Sequence, residues 1–217
     1  MRVTDAVNHR RSIRAFLDKP VESQVLEELL IKAARAPSGG NVQPWRVYVV
    51  NGPAMTRFRD FRDSRKAPEN AAYEIYPQGL TEPYRSSRFK VGEDMYRLLG
   101  IPREDRGARI RRLMENYNFF GAPAAIFCFV DKQMGPPQWS DLGMFLQTFM
   151  LLATEAGLDT CAQEAWAARP DTVAEFVGAP PEQMLFCGVA IGFQDPAAPV
   201  NSLVSEREPL SGFATFL

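Results

Sequence analysis

Apolar residues recur along this chain with two periods, and the switches between them mark helices and strands. Val3 to His9 has the look of a short opening helix. From Val21 to Ala36, Leu26, Leu29, Leu30, Ala33 and Ala34 fall at helical spacing. Glu27, Glu28, Lys32 and Arg35 occupy the other face, which predicts an amphipathic helix. Pro37 should stop it, because the ring disfavours helical geometry at Ala36. Arg46 to Val50 is rich in β-branched residues and ends at Asn51-Gly52-Pro53, which predicts a short strand. Helices are expected over Ala54–Lys66, Val91–Gly100 and Arg103–Asn118, the last two on either side of Ile101-Pro102.

The second half is more apolar. Ala124 to Val130 is an uninterrupted apolar run and predicts a central strand. A loop follows over Asp131–Pro137. Between Asp141 and Ala156, apolar residues cover nearly every side of the expected helix, so burial on all sides is expected. In a domain of this size a subunit interface best provides that. Gly157 to Trp166 reads as a short strand and turn, Pro170 to Val177 as a helix, and Met184 to Phe193 as a second central strand. The tail from Asn201 ends in Gly212-Phe213-Ala214-Thr215-Phe216-Leu217, too apolar to be left free, so it should pack on something. Ala67 to Arg88 fits neither period. An irregular stretch of that length inside a compact domain is usually functional or mobile.

At 217 residues the chain is long enough for one domain with a substantial core. Lys+Arg 25 against Asp+Glu 26 gives a net charge of -1, so no general attraction to nucleic acid or an anionic membrane is expected. Any anion site must be local. Met1 to Asp5 lacks an apolar leader, and no run reaches membrane-spanning length, so a cytoplasmic location is expected. Cys128, Cys161 and Cys187 are widely spaced and His9 is the only histidine, which argues against a disulfide framework, a zinc site or a histidine-based triad. Redox chemistry here would need a bound cofactor.

Arg10-Arg11-Ser12-Ile13-Arg14 places three guanidinium groups and a hydroxyl within five residues. Arginine matches a phosphate or carboxylate bidentately and stays charged at physiological pH; a solvated basic turn is the plainer reading. Two other stretches change the balance. Pro37-Ser38-Gly39-Gly40-Asn41-Val42-Gln43 joins a loop open to close backbone approach with two amides suited to a flat heterocycle. Glu206-Arg207-Glu208 sets an arginine between two acids near the C-terminus. Neither GxGxxG nor a Walker loop is present.

Together these stretches resemble the FMN-dependent nitroreductase family, in the expected order from Arg10 to Leu210. The resemblance implies an α+β nitroreductase-like fold, a central mixed β-sheet flanked by helices. It implies a single FMN-binding domain over 1–217 with a variable excursion at 67–118 bordering the active site. It further implies an intertwined homodimer whose C-terminal tail is exchanged onto the partner. In such proteins Arg10, Ser12 and Arg207, with Arg11 nearby, would grip the FMN phosphate, and Arg14 would face the pyrimidine edge. The loop carrying Pro37, Ser38, Gly39, Asn41 and Gln43 would reach the flavin of the partner subunit. Ala162, Gln163, Glu164 and Ala165 would run along the flavin ring.

The implied reaction is ping-pong. NAD(P)H gives hydride to the flavin, and an electron-poor aromatic acceptor, possibly a nitrobenzoate, is then reduced in the same space. No catalytic acid and no metal are implied. Gln138 to Met144 and Cys161 to Glu164 are similar to nitrobenzoate-reductase-type members. Tyr73, Tyr76, Tyr84, Arg85, Arg88 and Lys90 of the excursion are placed to meet an aromatic or anionic substrate, or are simply surface residues. A reductive dehalogenase or a flavin-fragmenting enzyme on the same scaffold, or a non-catalytic FMN-binding module, are the other readings. The lack of a hydroxyl between Ala162 and Ala165 counts against the dehalogenase.

Overall fold

The computed structural model describes residues 1–217. Its elements run α1 (Val3–His9), α2 (Ser23–Ala33), β1 (Arg46–Asn51), α3 (Pro53–Ser64), α4 (Tyr84–Leu98), α5 (Arg106–Met114), β2 (Ala124–Asp131), α6 (Pro136–Glu155), β3 (Asp159–Gln163), α7 (Pro170–Val177), β4 (Gln183–Gly192) and α8 (Leu210–Phe213). The strands form one sheet in the order β1-β2-β4-β3. Its ladders are antiparallel. A single parallel bridge, Ser12 to Thr160, adds the mixed character at the β3 edge.

Both faces of the sheet are covered, which explains the unbroken apolar run in β2. Ala124, Ile126, Cys128 and Val130 join a core with Leu26 and Leu29 of α2 and Leu142, Phe145 and Phe149 of α6. Their neighbours Ala125, Phe127 and Phe129 join a second core with Phe58 of α3, Phe119, Trp166 and Val173 of α7. Trp45 stacks on Phe145 with ring centroids 4.9 Å apart, so it is a packing residue. Trp166 is fully buried against Gly188, where an added Cβ would lie 2.4 Å from Cδ1. All three cysteines are free and buried. No helix is long and apolar enough to cross a membrane.

Several boundaries differ from the periodic reading. Helix α6 begins at Pro136, within the expected loop, because Gly135 serves as its N-cap and proline is favoured in a first turn. It is not buried on all sides within one chain: Gly143, Met144 and Gln147 remain exposed along one stripe. The irregular segment is shorter than expected, since α4 already starts at Tyr84. The helix expected over Arg103–Asn118 is two pieces. Helix α5 ends at Met114 and a 3-10 segment, Glu115–Gly121, takes over. There Phe119 and Phe120 adopt φ of 50° and 55°, left-handed values unusual for aromatic residues, while both rings stay buried. The apolar tail is exposed: Phe213, Phe216 and Leu217 bury little within the chain. Helices α4 and α5 contain no buried residue.

Candidate functional site

The arginine run is held where the end of α1 meets the edge of the sheet. The Arg10 N–H donates to Ala6 at 2.9 Å, closing the helix. The chain then runs beside β3, with the Ile13 N–H donating to Thr160 at 3.0 Å and the Ile13 side chain buried. Buried Asn201 fixes the next two residues. Its Oδ1 accepts from the Arg14 N–H at 2.9 Å, and its Nδ2 donates to the carbonyls of Ala15 at 2.8 Å and Asp195 at 2.9 Å. From α5, Arg112 donates to the Arg14 carbonyl at 2.8 Å.

This arrangement leaves a cavity of about 620 Å³. Arg10, Arg11, Ser12, Arg14, Gln147 and Arg207 line it. The cavity is electrostatically unbalanced. The Arg10 guanidinium is held below its ordinary pKa first by burial and then by the neighbouring charge of Arg207. Glu206 and Glu208 do not neutralise Arg207. Glu206 pairs with Lys90 at 3.1 Å, and Glu208 faces Ser87. Arg207 donates only to Ser205 and the Glu206 carbonyl, all within two residues of itself. Cationic groups that repel one another without a carboxylate between them form a site for an external anion. Arg207 thus forms no salt bridge with either flanking glutamate.

The other expected site residues lie elsewhere. The 37–43 loop is outside this cavity and rests against the start of α6. There the Gly39 N–H donates to the buried Asp141 carboxylate at 3.3 Å and 3.4 Å to its two oxygens. Ser38 Oγ accepts from the Gln43 N–H at 3.0 Å, and Gln43 Nε2 donates to the Asn41 carbonyl at 3.2 Å. Gly40, Asn41 and Gln43 all have positive φ, a strained run of the kind that persists at ligand clamps. Pro37, Gly39 and Asn41 are exposed. Within one chain the loop and the arginines therefore do not meet.

At the end of β3, Ala162 and Glu164 are exposed, whereas Gln163 is buried and turned inward. Its Nε2 donates to the Asn116 carbonyl at 2.7 Å and its Oε1 has no partner. The Ala165 carbonyl accepts from Tyr117 Oη at 3.2 Å. So the side chain of Gln163 braces the excursion, while Glu164 stays exposed beside it.

Asn201, Arg112 and Gln147 escaped the reading of the sequence. Asn201 sits in an unremarkable turn, and Arg112 is one of several arginines on a helix whose tertiary neighbour the sequence does not reveal. Gln147 had a local signal, a polar residue within the apolar pattern of α6.

A model of the Nitroreductase family matches residues 7–193. The chain belongs to the nitroreductase family. Among its relatives, the nitrobenzene nitroreductase of Ectopseudomonas oleovorans is 34% identical, the alignment covering 99% of this chain and 96% of that protein. The 4-nitrobenzoate reductase of Pseudomonas putida is also 34% identical, over 97% and 93%. Among solved structures, the FMN and NADPH-dependent nitroreductase NfnB from Sphigopyxis sp. strain HMH superposes with a TM-score of 0.95 at 43% identity, covering 100% of this chain and 99% of that one. NfnB of Mycobacterium smegmatis, solved in complex with NADPH, gives a TM-score of 0.90 at 28% identity over the whole of both chains. The observed antiparallel sheet with helices on both faces is therefore the nitroreductase fold.

A nitroreductase needs a flavin mononucleotide, and the donors present suit one. Arg10, Ser12 and Arg207 line one cavity with two cationic forks and a hydroxyl, donors of the kind a terminal phosphate could accept. The unpaired charge of the cavity is the property such a dianion would neutralise.

Proposed function

We infer that the protein is an FMN-dependent oxidoreductase that takes electrons from NAD(P)H and passes them to nitroaromatic acceptors, with nitrobenzoates a substrate class to test first. The observation that carries the reading is the arginine cavity, in which Arg207 ignores both flanking glutamates. Similarity over nearly the full length of nitrobenzene and nitrobenzoate reductases points the same way. Bound FMN would supply the two-electron carrier that the side chains lack. Arg10, Ser12 and Arg207, with Arg11 beside them, hold the phosphate. Arg14 lies at the pyrimidine edge, where its charge favours the reduced, anionic state. The backbone of Ala162, Gln163, Glu164 and Ala165 borders the ring. No side chain is assigned as a catalytic acid.

The site is completed by a second copy of the chain. The 37–43 loop does not reach the arginines of its own protomer, and its Ser38, Gly39, Asn41 and Gln43 are read as the partner's contribution. The open stripe of α6 at Gly143 and Met144 and the exposed Phe213, Phe216 and Leu217 would give the dimer its apolar contact. On this reading residues 1–217 are one FMN-binding domain, 67–118 form its excursion, and the protein works in the cytoplasm. The dehalogenase alternative has less support: an iodotyrosine deiodinase aligns over only 42% of the chain.

The test has two steps. Flavin released from the purified protein is identified by chromatography, and NAD(P)H oxidation is then followed with 4-nitrobenzoate. FMN and acceptor-dependent oxidation are expected. FAD, or FMN without electron transfer to any nitroaromatic, overturns the reading.

A further inference from the structure

Helix α6 holds the 37–43 loop at two points. Trp45, just past the loop, stacks on Phe145 with ring centroids 4.9 Å apart and planes inclined by 14°. One helical turn earlier on the same face, the Asp141 carboxylate accepts from the Gly39 N–H, 3.3 Å and 3.4 Å from its two oxygens. The loop's other hydrogen bonds are internal. The Asn41 N–H donates to the Ser38 carbonyl at 2.9 Å, the Gln43 N–H to Ser38 Oγ at 3.0 Å, and Gln43 Nε2 to the Asn41 carbonyl at 3.2 Å. Asp141 is therefore the polar link between the front of the loop and the body of the fold.

The helix itself has no use for an acid here. Asp141 is the sixth residue of α6, past the unpaired N–H groups of the first turn. It is only 4% exposed, and no cation pairs with it. A buried carboxylate held by one long N–H contact costs more than an apolar side chain of similar size. What it provides is a grip on a glycine. Gly39 has no side chain to pack, and Gly40 beside it has φ of 57°, so a bond to the main chain is the means of fixing this turn.

We propose that Asp141 is a positioning residue for the flavin site of the other protomer. Through Gly39 it sets the loop in the conformation in which Ser38, Asn41 and Gln43 meet the partner's flavin. The proposal rests on the two-chain FMN site and adds to it the group that fixes the loop. The Trp45–Phe145 stack holds the far end without Asp141. Removing the carboxylate should therefore free the front of the loop while α6 and the sheet stay folded.

The experiment titrates full-length apo-protein with FMN and with riboflavin, using wild type, Asp141→Ala and Asp141→Asn. Asp141→Ala should weaken both ligands alike, by about tenfold, the order of one charge-assisted contact. Asp141→Asn keeps a carbonyl oxygen for the Gly39 N–H and should recover much of the loss. Heterodimers of Asp141→Ala with Arg207→Ala, co-expressed under two tags and purified by both, then separate positioning from a general loss of stability. One of their two sites joins the intact arginines of the first chain to the intact loop of the second. They should bind one FMN per dimer with wild-type affinity, which neither homodimer does. Unchanged flavin affinity in Asp141→Ala overturns the proposal and leaves the FMN reading standing. So does weakening confined to FMN, which would put the effect at the phosphate. Heterodimers that regain no tight site also overturn it. Wild type that binds neither flavin overturns the FMN reading, and the proposal with it.

Discussion

Replacing Arg207 with alanine isolates what its guanidinium does. Nη1 donates to the Ser205 carbonyl at 2.9 Å, Ser205 Oγ at 2.7 Å and the Glu206 carbonyl at 2.9 Å. No ion pair is lost with it, because Glu206 belongs to Lys90. Besides these exposed local bonds, what the variant should lose under the proposed function is one charge-assisted contact to the FMN phosphate, about 1.5–3 kcal/mol, or roughly ten- to a hundredfold in Kd. The protein without flavin should respond in the opposite direction. Arg10 and Arg207 repel each other there, so Arg207→Ala should leave apo stability unchanged or raise it by less than about 1 kcal/mol. The assay titrates apo-protein with FMN and with riboflavin, using wild type, Arg207→Ala, Arg10→Ala and the double variant, and records melting with and without FMN. FMN binding should weaken and riboflavin binding should not. The two substitutions should be non-additive, because they share one anion. Reduction of whatever flavin stays bound should hardly change, since the phosphate lies away from the reacting ring. Equal weakening of riboflavin, or unaltered FMN affinity, refutes the phosphate role.

Three further outcomes are expected. Asn201→Ala strands the Arg14 N–H and removes one of two donors from each of the Ala15 and Asp195 carbonyls, which keep their backbone partners; it should cost about 1–3 kcal/mol in denaturant unfolding together with weaker FMN binding, and a change below about 0.5 kcal/mol would show the clasp to be dispensable. Gly188→Ala drives a methyl into Trp166 and should destabilise by about 3 kcal/mol or more, visible as a lower Tm and altered tryptophan fluorescence. Burial raises the pKa of Asp159 despite its hydrogen bond from the Gln194 N–H and the charge of Arg11. A raised folded-state pKa gives stability that is present below the ordinary carboxylate pKa and is lost as pH rises through the folded value. The Tm advantage of Asp159→Asn over wild type should therefore grow across that window, and a pH-independent difference would contradict it.

The sequence carried most of the fold because its strongest signals are local. The apolar run at 124–130, the stop at Asn51-Gly52-Pro53 and the amphipathic face at Leu26 and Leu29 each depend on near neighbours. Apart from the start of α6, set locally by Gly135 and Pro136, the differences came from non-local causes. Phe119 and Phe120 leave helical geometry because their rings fill the core beneath the sheet, at a backbone cost no propensity anticipates. The stripe of α6 that stays open departs from the all-round apolar reading at Gly143, Met144 and Gln147, of which only Met144 carries an apolar side chain. In the candidate site, residue types suited to phosphate were legible at Arg10, Ser12 and Arg207. Asn201 and Arg112, the groups that fix the end of the run at Arg14, meet it only through contacts spanning 187 and 98 positions.

Helices α4 and α5 contain no fully buried residue, yet α4 lines the groove beside the arginine cavity with Ser87, Lys90, Val91 and Asp94. Apart from Arg112, which holds the Arg14 carbonyl, and the Arg109–Glu93 pair, their substitutions should therefore carry small folding penalties, while a comparable change in β2 or α6 would threaten the native state. Such a division favours rapid divergence. Mutational libraries confined to residues 84–114 should retain a high share of folded, flavin-loaded members and still differ widely in what they reduce. Lineages carrying this scaffold can, by the same logic, exchange one pollutant or metabolite for another without first acquiring compensating stabilisation.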